Sequence, residues 1–330
     1  MISIRNECKD PRFNLALEEY VFYNFDPNNE YVILWQNEPS VIIGRNQNTI
    51  EEINFKFIKE NNINVVRRNS GGGAVYHDLG NLNYTFIVSS DKDVESNFRK
   101  FTEPVVSALI KLGVNAAFSG RNDITIEGRK ISGNAQLYSK NRLLHHGTIL
   151  FSSDLSVVQE ALNVKIDKLQ SKGVKSVRSR VTNVYPYLKE KITIEEFKDT
   201  LMKFLLNDDN YKEKEYVLTD KDLNAIKELV DKKYSTWEWN FGESPAFEIE
   251  KSRRFEGGYL SLKFNVTDGR IQHLKIYGDF FGKKDIRDIE NLLKNIKFKE
   301  GIIYKTLNSL NFEEYFAGIT TENFIECMFY

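Results

Sequence analysis

RRNSGGGAVYHDLGNLNYTFIV, Arg67 to Val88, sets three consecutive glycines between two runs that both read as strands. Upstream, NVVRR (Asn64 to Arg68) is β-branched, and downstream AVYHD and LNYTFIV (Leu82 to Val88) carry the β-branched and aromatic content that favours strand over helix. A glycine run leaves a backbone without side-chain walls, so a ligand can approach its amides closely and unusual dihedrals are open. Glycines also punctuate ordinary loops. The flanks here favour a ligand, and an anionic one: Arg67 and Arg68 offer cationic forks suited to phosphate or carboxylate, while Ser70, Tyr76 and His77 add hydrogen-bonding groups. No Gly-Lys-Ser/Thr follows the glycines, which excludes a Walker loop. A strand rather than a helix follows them, which excludes a dinucleotide fingerprint.

Upstream of this stretch, Asp10-Pro11 followed by Phe13, Leu17, Tyr20 and Val21 predicts a helix with a capping Asp and Pro in its first turn. YVILW (Tyr31 to Trp35) and VIIGR (Val41 to Arg45) predict paired strands joined by a turn at Asn37, Pro39 and Ser40. Thr49 followed by Glu52 has the form of a capping box and opens a helix to about Asn62. Downstream, a helical pattern runs from about Glu95 to Leu112 and closes at Gly113, with Pro104 arguing against an unbroken helix. DITIEGRKISGNAQ (Asp123 to Gln136) reads as a hairpin turning at Glu127-Gly128, and LLHHGTILF (Leu143 to Phe151) as one more strand. From about Leu155 the chain turns helical and basic. ITIEEFKDTLMKFLL (Ile192 to Leu206) and LTDKDLNAIKELVDKKY (Leu218 to Tyr234) place apolar residues at three- and four-residue spacing, as helices covering a sheet face would. Strands then follow at about Ala246 to Arg254, Tyr259 to Val266 and Arg270 to Tyr277, linked by Gly257-Gly258 and Asp268-Gly269, with helical patterns from about Lys284 to Ile296 and in the tail. That shift marks a second, α+β domain from roughly residue 246.

A chain of 330 residues suits a main domain with a smaller one. With 23 Phe, 16 Tyr and 41% hydrophobic residues it can bury a substantial core. Forty-six basic residues balance 47 acidic ones, so no global field favours nucleic acid or an anionic membrane, and electrostatic recognition must be local. No apolar run has signal-peptide length or approaches the ~20 residues of a membrane span, so a cytoplasmic protein is expected. Cys8 and Cys327 are the only cysteines and lie far apart, which argues against a zinc site or a disulfide.

Taken in order, RRNSGGGAVYHDLGNLNYT, SGRND, GRKISGNAQ, HHGTILF and SKGVKSVRSRVTN resemble lipoate-protein ligase A, of the biotin and lipoate ligase superfamily. The resemblance covers about residues 1 to 245 and extends into the accessory domain. It implies an α+β fold, a mixed sheet flanked by helices, with a catalytic domain over 1–245 and a small C-terminal α+β accessory domain over 246–330. It also implies a two-step reaction in which lipoate and ATP give lipoyl-AMP and pyrophosphate, and an acceptor lysine then displaces AMP to form an amide. Both steps bring anions together, so cations must be fixed where negative charge develops.

Lys130 matches the family's lysine that bridges the lipoyl carbonyl and the α-phosphate; by residue type alone it would be an exposed strand lysine. Arg68 and the Gly73, Ala74, Val75 and Tyr76 backbone match nucleotide-contacting positions, and Gly71 and Gly72 are expected along the lipoyl path. Asn122 and Asp123 would approach the phosphates and Mg²⁺, a hard cation suited to an oxygen ligand; for Asp123, capping the turn before its strand is an equal alternative. His77 and His146 match positions near the lipoate pocket, although neither step requires an imidazole base. His145 and His146, adjacent on a strand, point to opposite faces and cannot chelate together. Lys168, Lys172, Lys175, Arg178 and Arg180 form a basic run that reads as a solvated loop, or as a segment closing over the adenylate or meeting an acidic acceptor. The implied partners are lipoyl-acceptor domains, namely E2 subunits of 2-oxo acid dehydrogenases and the glycine-cleavage H protein. A monomer is expected.

Two other readings compete. A related transferase passes octanoyl or lipoyl groups between proteins without ATP, but it needs a cysteine nucleophile, and none lies between Cys8 and Cys327. A non-catalytic lipoate or nucleotide sensor would have little use for Lys130 beside a complete glycine segment.

Overall fold

The computed structural model describes residues 1–89, 98–120, 122–139, 141–162, 181–242, 247–280 and 282–330. The chain folds as two compact units, one of residues 1–45 with 62–236 and the other of 46–61 with 237–330. Its strands are β1 (Ile2–Ile4), β2 (Tyr31–Trp35), β3 (Ser40–Ile43), β4 (Asn64–Arg67), β5 (Val75–His77), β6 (Asn81–Ser89), β7 (Ala116–Ser119), β8 (Asp123–Ile126), β9 (Arg129–Ser139), β10 (Arg142–Leu150), β11 (Phe247–Phe255), β12 (Gly258–Thr267) and β13 (Arg270–Gly278). Its helices are α1 (Pro11–Asn24), α2 (Thr49–Glu52), α3 (Phe55–Glu60), α4 (Phe98–Lys111), α5 (Leu155–Ala161), α6 (Ile194–Leu206), α7 (Asp220–Leu229), α8 (Arg287–Leu292), α9 (Glu300–Leu307) and α10 (Thr321–Phe329).

In the first unit a seven-stranded sheet runs β1-β2-β6-β10-β9-β8-β7, and a three-stranded sheet runs β4-β3-β5. Both are mixed: β1 lies parallel to β2 and β3 parallel to β4, and the other neighbours are antiparallel. The expected β2–β3 hairpin does not form. Each strand is wholly buried, β2 pairs with β6 in the large sheet, and β3 is the centre of the small one. Asn37, Pro39 and Ser40 therefore carry the chain from one sheet to the other.

Strand alternation sorts the two faces of the large sheet. Leu82, Tyr84, Phe86 and Val88 of β6 enter an apolar core with Phe101, Val105 and Leu109 of α4 and Phe197 and Leu201 of α6. Helix α4 packs on this face and runs on through Pro104, within the helical pattern read from Glu95 to Leu112. Asn81, Asn83 and Thr85 occupy the opposite face, also buried. That face carries the functional site. Helix α1 starts as expected, Asp10 accepting a hydrogen bond from the Arg12 amide with Pro11 at the first position, and it ends where Arg142 donates to the carbonyls of Val21, Phe22 and Phe25.

The second unit is a β11-β12-β13 meander around a core that includes Phe264, Phe298, Phe316 and Phe324. Residues 46–61 belong to it: Ile50 enters this core and Phe55 packs on Phe241 and Phe329. The single helix predicted from Thr49 is two short ones. Asn48 and Asn54 cap α2 and α3, and the Thr49 hydroxyl instead donates to the Asn240 carbonyl. Helix α8 is likewise shorter than the pattern from Lys284 to Ile296.

Gly147 sits at the centre of the large sheet, where a Cβ would lie 2.5 Å from the Tyr84 hydroxyl and strike the Asn134 side chain. We predict that Gly147→Ala destabilises the first unit by ~1–3 kcal/mol, the usual cost of overpacking. A urea midpoint unchanged from the parent would refute this.

Candidate active site

Between β5 and the face of the large sheet that bears Asn83 lies a cavity bordered by Gly72, Gly73, Ala74 and Val75 above, Trp35, Leu15 and Ile42 at its apolar side, and Asn122, Lys130 and Gly133 at the other. The RRNS segment before the glycines is held from four directions. Arg67, fully buried, donates to the carbonyls of Gly44 and Arg45, both at 3.0 Å. Arg68 donates to the carbonyls of Ile42 (3.1 Å), Gly71 (2.6 Å) and Gly73 (2.9 Å) and to Ser70 Oγ (3.0 Å). Asn69 donates to Glu19 and to the Tyr234 hydroxyl, and Ser70 Oγ meets His146 Nε2 at 2.6 Å. The two arginine forks are thus turned onto protein carbonyls, and the loop is shaped by them. Burial pulls the Arg68 guanidinium down to about 10, opposed by the charge of Glu18, and it remains cationic at neutral pH.

Within the loop, Gly72 adopts φ +94°, which favours glycine, and a Cβ there would press on Arg68 Nη2. Over Gly71 and Gly73 there is open space. The sequence expectation of a backbone open to close approach applies to those two, while Gly72 supplies the bend. Ala74 and Val75 line the cavity by their place on the loop and β5; Tyr76 is buried against β3 and does not.

His146 connects roof to floor. Its Nδ1 lies 3.0 Å and 3.1 Å from the two Glu18 oxygens, and Glu18 also accepts from Thr85, whose Oγ1 accepts from Trp35 Nε1 at 2.9 Å. With Nδ1–H donating to the carboxylate, Nε2 accepts from Ser70. Glu18 and Trp35 escaped the sequence reading, one being a lone acid on an apolar helix face and the other one apolar residue in a buried strand. The polar alternation Asn81, Asn83, Thr85 within an apolar strand was the available signal.

His145 points the other way, as expected, stacked on Phe101 with Nε2 3.2 Å from Asn134 Oδ1. His77 is buried and its Nδ1 takes a hydrogen bond from Asn37. Burial pulls both histidines down to about 3, with Arg68 and His146 adding to the effect at His77 and His146 at His145. Both are neutral imidazoles at neutral pH.

Lys130 lies near the start of β9, partly exposed, with Nζ 2.7 Å from Asp123 Oδ1. Its chain passes over Gly133, where a Cβ would come within 2.9 Å of Nζ. Asn122 donates to the Asn134 carbonyl at 2.7 Å. Lys130, Asn122, Arg68, His77, His146, Gly72, Gly73, Ala74 and Val75 all border one cavity. Among the described residues no cluster of three His, Cys, Asp or Glu side chains could hold a metal ion, and no helix is long and apolar enough to cross a membrane. Neither Cys8 nor Cys327 lines the cavity, and burial pushes both thiols up, Cys327 to about 11, the wrong direction for a nucleophile. Lys168, Lys172, Lys175, Arg178 and Arg180 lie outside the described residues; just beyond them, the Thr182 amide donates to the Lys130 carbonyl at 2.9 Å.

The family model of the lipoyl protein ligase A/B catalytic domain matches residues 10–206, and that of the bacterial lipoate protein ligase C-terminus matches residues 244–328. The chain belongs to the lipoate-protein ligases. Lipoate-protein ligase LplJ of Bacillus subtilis (strain 168) is 49% identical over 331 residues, covering 100% of both chains. Two solved structures each cover 73% of this chain: a bipartite lipoate protein ligase studied with its E2 lipoyl domain from Thermoplasma acidophilum (34% identity, TM-score 0.64, 95% of that chain), and lipoate-protein ligase A bound with ATP (33% identity, TM-score 0.63, 98% of that chain). The mixed sheets, the helices on them and the C-terminal sheet unit are the α+β fold of these ligases, and the enzyme's activity is ATP-dependent lipoate ligation.

The depressed histidines make stability pH-dependent. Both fold as neutral groups, so the unfolded chain binds more protons below pH 6.5, and stability falls as pH drops from about 6.5 towards 3. We predict a loss of up to about 1.4 kcal/mol per pH unit for each histidine. Denaturant unfolding at pH 7 and pH 5 giving equal stability would contradict it.

Proposed function

We propose that the cavity beneath Gly72 to Val75 activates lipoate as lipoyl-AMP, releasing pyrophosphate, and then passes the lipoyl group to a lysine of an acceptor protein. The supporting observation is the position of Lys130 Nζ over Gly133, on the border of the cavity roofed by the glycine loop. In the first step a lipoate carboxylate oxygen attacks the α-phosphorus of ATP and pyrophosphate departs. Lys130 exchanges Asp123 for the carbonyl oxygen and the α-phosphate and offsets the charge that gathers between them. In the second step the acceptor amine attacks the lipoyl carbonyl, AMP leaves, and the amine proton passes to solvent or a phosphate oxygen.

The adenylate would lie along Gly73, Ala74, Val75 and the Tyr76 backbone, with Asn122 and Asp123 towards the phosphates. Arg68 would act there through its buried charge and its hold on the loop. Lipoate would run past Gly71 and Gly72 to His77 and His146. Asp123 does not line the cavity but pairs with Lys130 at its border, and as a single carboxylate it would suit Mg²⁺ held mainly by nucleotide phosphates and water, where the ion would neutralise phosphate charge.

Residues 1–245 would carry catalysis and 246–330 would be accessory, with 46–61 packed into that accessory unit. Lipoyl domains of E2 subunits and the glycine-cleavage H protein are the proposed acceptors, met by a monomer in the cytoplasm.

Lys130→Ala is expected to lower lipoate-dependent ATP–pyrophosphate exchange by ~10²–10³, the scale of one lost charge-stabilising donor. Exchange at the parental rate would sink the role given to Lys130.

A further inference from the structure

A second cavity, of about 520 Å³, lies within the first unit where β1 meets α6, and none of the residues bordering it borders the catalytic cavity. Its size is that of a small-molecule site. Ile4 of β1, Leu34 of β2, Met202 of α6 and Tyr211 form a buried apolar floor. Leu34 belongs to the core shared with α4 and α6, so the cavity lies on that side of the large sheet and the catalytic site on the other. The segment after α6 makes the far wall. It is tied to β1 by the Arg5 amide donating to the Tyr216 carbonyl at 3.0 Å and the Tyr216 amide to the Ser3 carbonyl at 2.8 Å.

The charged side chains around this cavity pair with one another, with two exceptions. Arg5 pairs with Glu7 at 2.7 Å, Lys212 with Asp199 at 2.6 Å and Lys9 with Glu195 at 3.9 Å. Lys198 on α6 and Glu215 on the far wall are left over. Among the described residues the Lys198 ammonium, with three donors, makes one hydrogen bond, to the Asn6 carbonyl at 3.2 Å, and the Glu215 carboxylate accepts none. Each lies within the field of the other, yet the two form no ion pair. Burial pulls the Lys198 ammonium down, with Lys9 adding to the effect, and pushes the Glu215 carboxyl up. Two opposite charges are thus held partly out of water, facing one cavity, without a counter-charge in contact.

A lone carboxylate entering here would satisfy Lys198 and be repelled by Glu215, and a lone amine would do the reverse. A ligand that carries both charges satisfies both walls. The two charges must lie close together on it, as they do on a single α-carbon and do not at the two ends of a peptide. Ile4 and Met202 offer surface to an apolar side chain. We propose that this cavity is a binding site for a free α-amino acid with an aliphatic side chain, its carboxylate on Lys198 and its ammonium on Glu215.

The test is isothermal titration of the full chain with leucine, with lipoate present to fill the catalytic cavity. Two analogues are titrated beside it: 4-methylpentanoate, which lacks the ammonium, and 3-methylbutylamine, which lacks the carboxylate. Leucine should bind saturably and each analogue about tenfold or more weakly, the scale of a lost charge-assisted hydrogen bond. Lys198→Met should abolish leucine binding while lipoate-dependent ATP–pyrophosphate exchange stays at the parental rate, since Lys198 lies outside the catalytic cavity. Absence of leucine binding, equal binding of the three compounds, or leucine binding retained by a folded Lys198→Met would overturn the inference. If that variant does not fold, Glu215→Gln takes its place, and the comparison of the three compounds on the parent chain decides alone should both fail.

Discussion

The buried guanidinium of Arg68 is the constraint on which the site depends. Four donated hydrogen bonds tie it to β3, to both outer glycines of the loop and to Ser70, so one side chain fixes the path of a segment that glycine would otherwise leave loose. A buried charge of this kind is tolerable only when its donors are occupied and an opposite charge is near. Glu18 supplies that charge through Ser70 and His146, and so couples the roof of the cavity to its floor. Removing any link of the chain would strand another group in a place without water.

Much of this architecture was legible from local chemistry. The Asp10-Pro11 helix start, the strand after the glycines, the Glu127-Gly128 hairpin and the opposite facing of His145 and His146 follow from residue type and strand period, and the fold shows each of them. Pairing partners were not legible. YVILW and VIIGR are short apolar runs of the same character, and nothing within them says that each serves a different sheet. Asn48 displaced Thr49 as a cap for the same kind of reason: the Thr49 hydroxyl is claimed by Asn240, nearly two hundred residues away, and a local rule cannot see that.

For the site, motif resemblance named Lys130, the glycine loop and the two pocket histidines, and the fold brings these to one cavity. Arg68 shows where such reasoning stops. A guanidinium beside a glycine run suggests a phosphate fork, yet its reach back to Gly71 and Gly73 depends on a loop conformation that only Gly72 at positive φ makes available. Glu18 was silent for the opposite reason, since its meaning comes wholly from neighbours distant in the chain.

Among the described residues, the two cations lining the catalytic cavity, Arg68 and Lys130, divide the electrostatic work by how they are held. Arg68 spends its donors on protein atoms and cannot turn to a substrate without dismantling the loop, so its positive field is permanent and preorganised. Lys130 is partly exposed and held by one contact to Asp123. An exposed ion pair of that kind contributes ~0–1 kcal/mol, so an arriving carboxylate or phosphate can replace Asp123 at little cost. A reaction that assembles two anions and later releases one needs a fixed field to shape the site and a cation free to change partners. Were Lys130 buried like Arg68, the exchange of partners would carry a desolvation cost at each turnover; were Arg68 as exposed as Lys130, the glycine loop would have no fixed form to bind against.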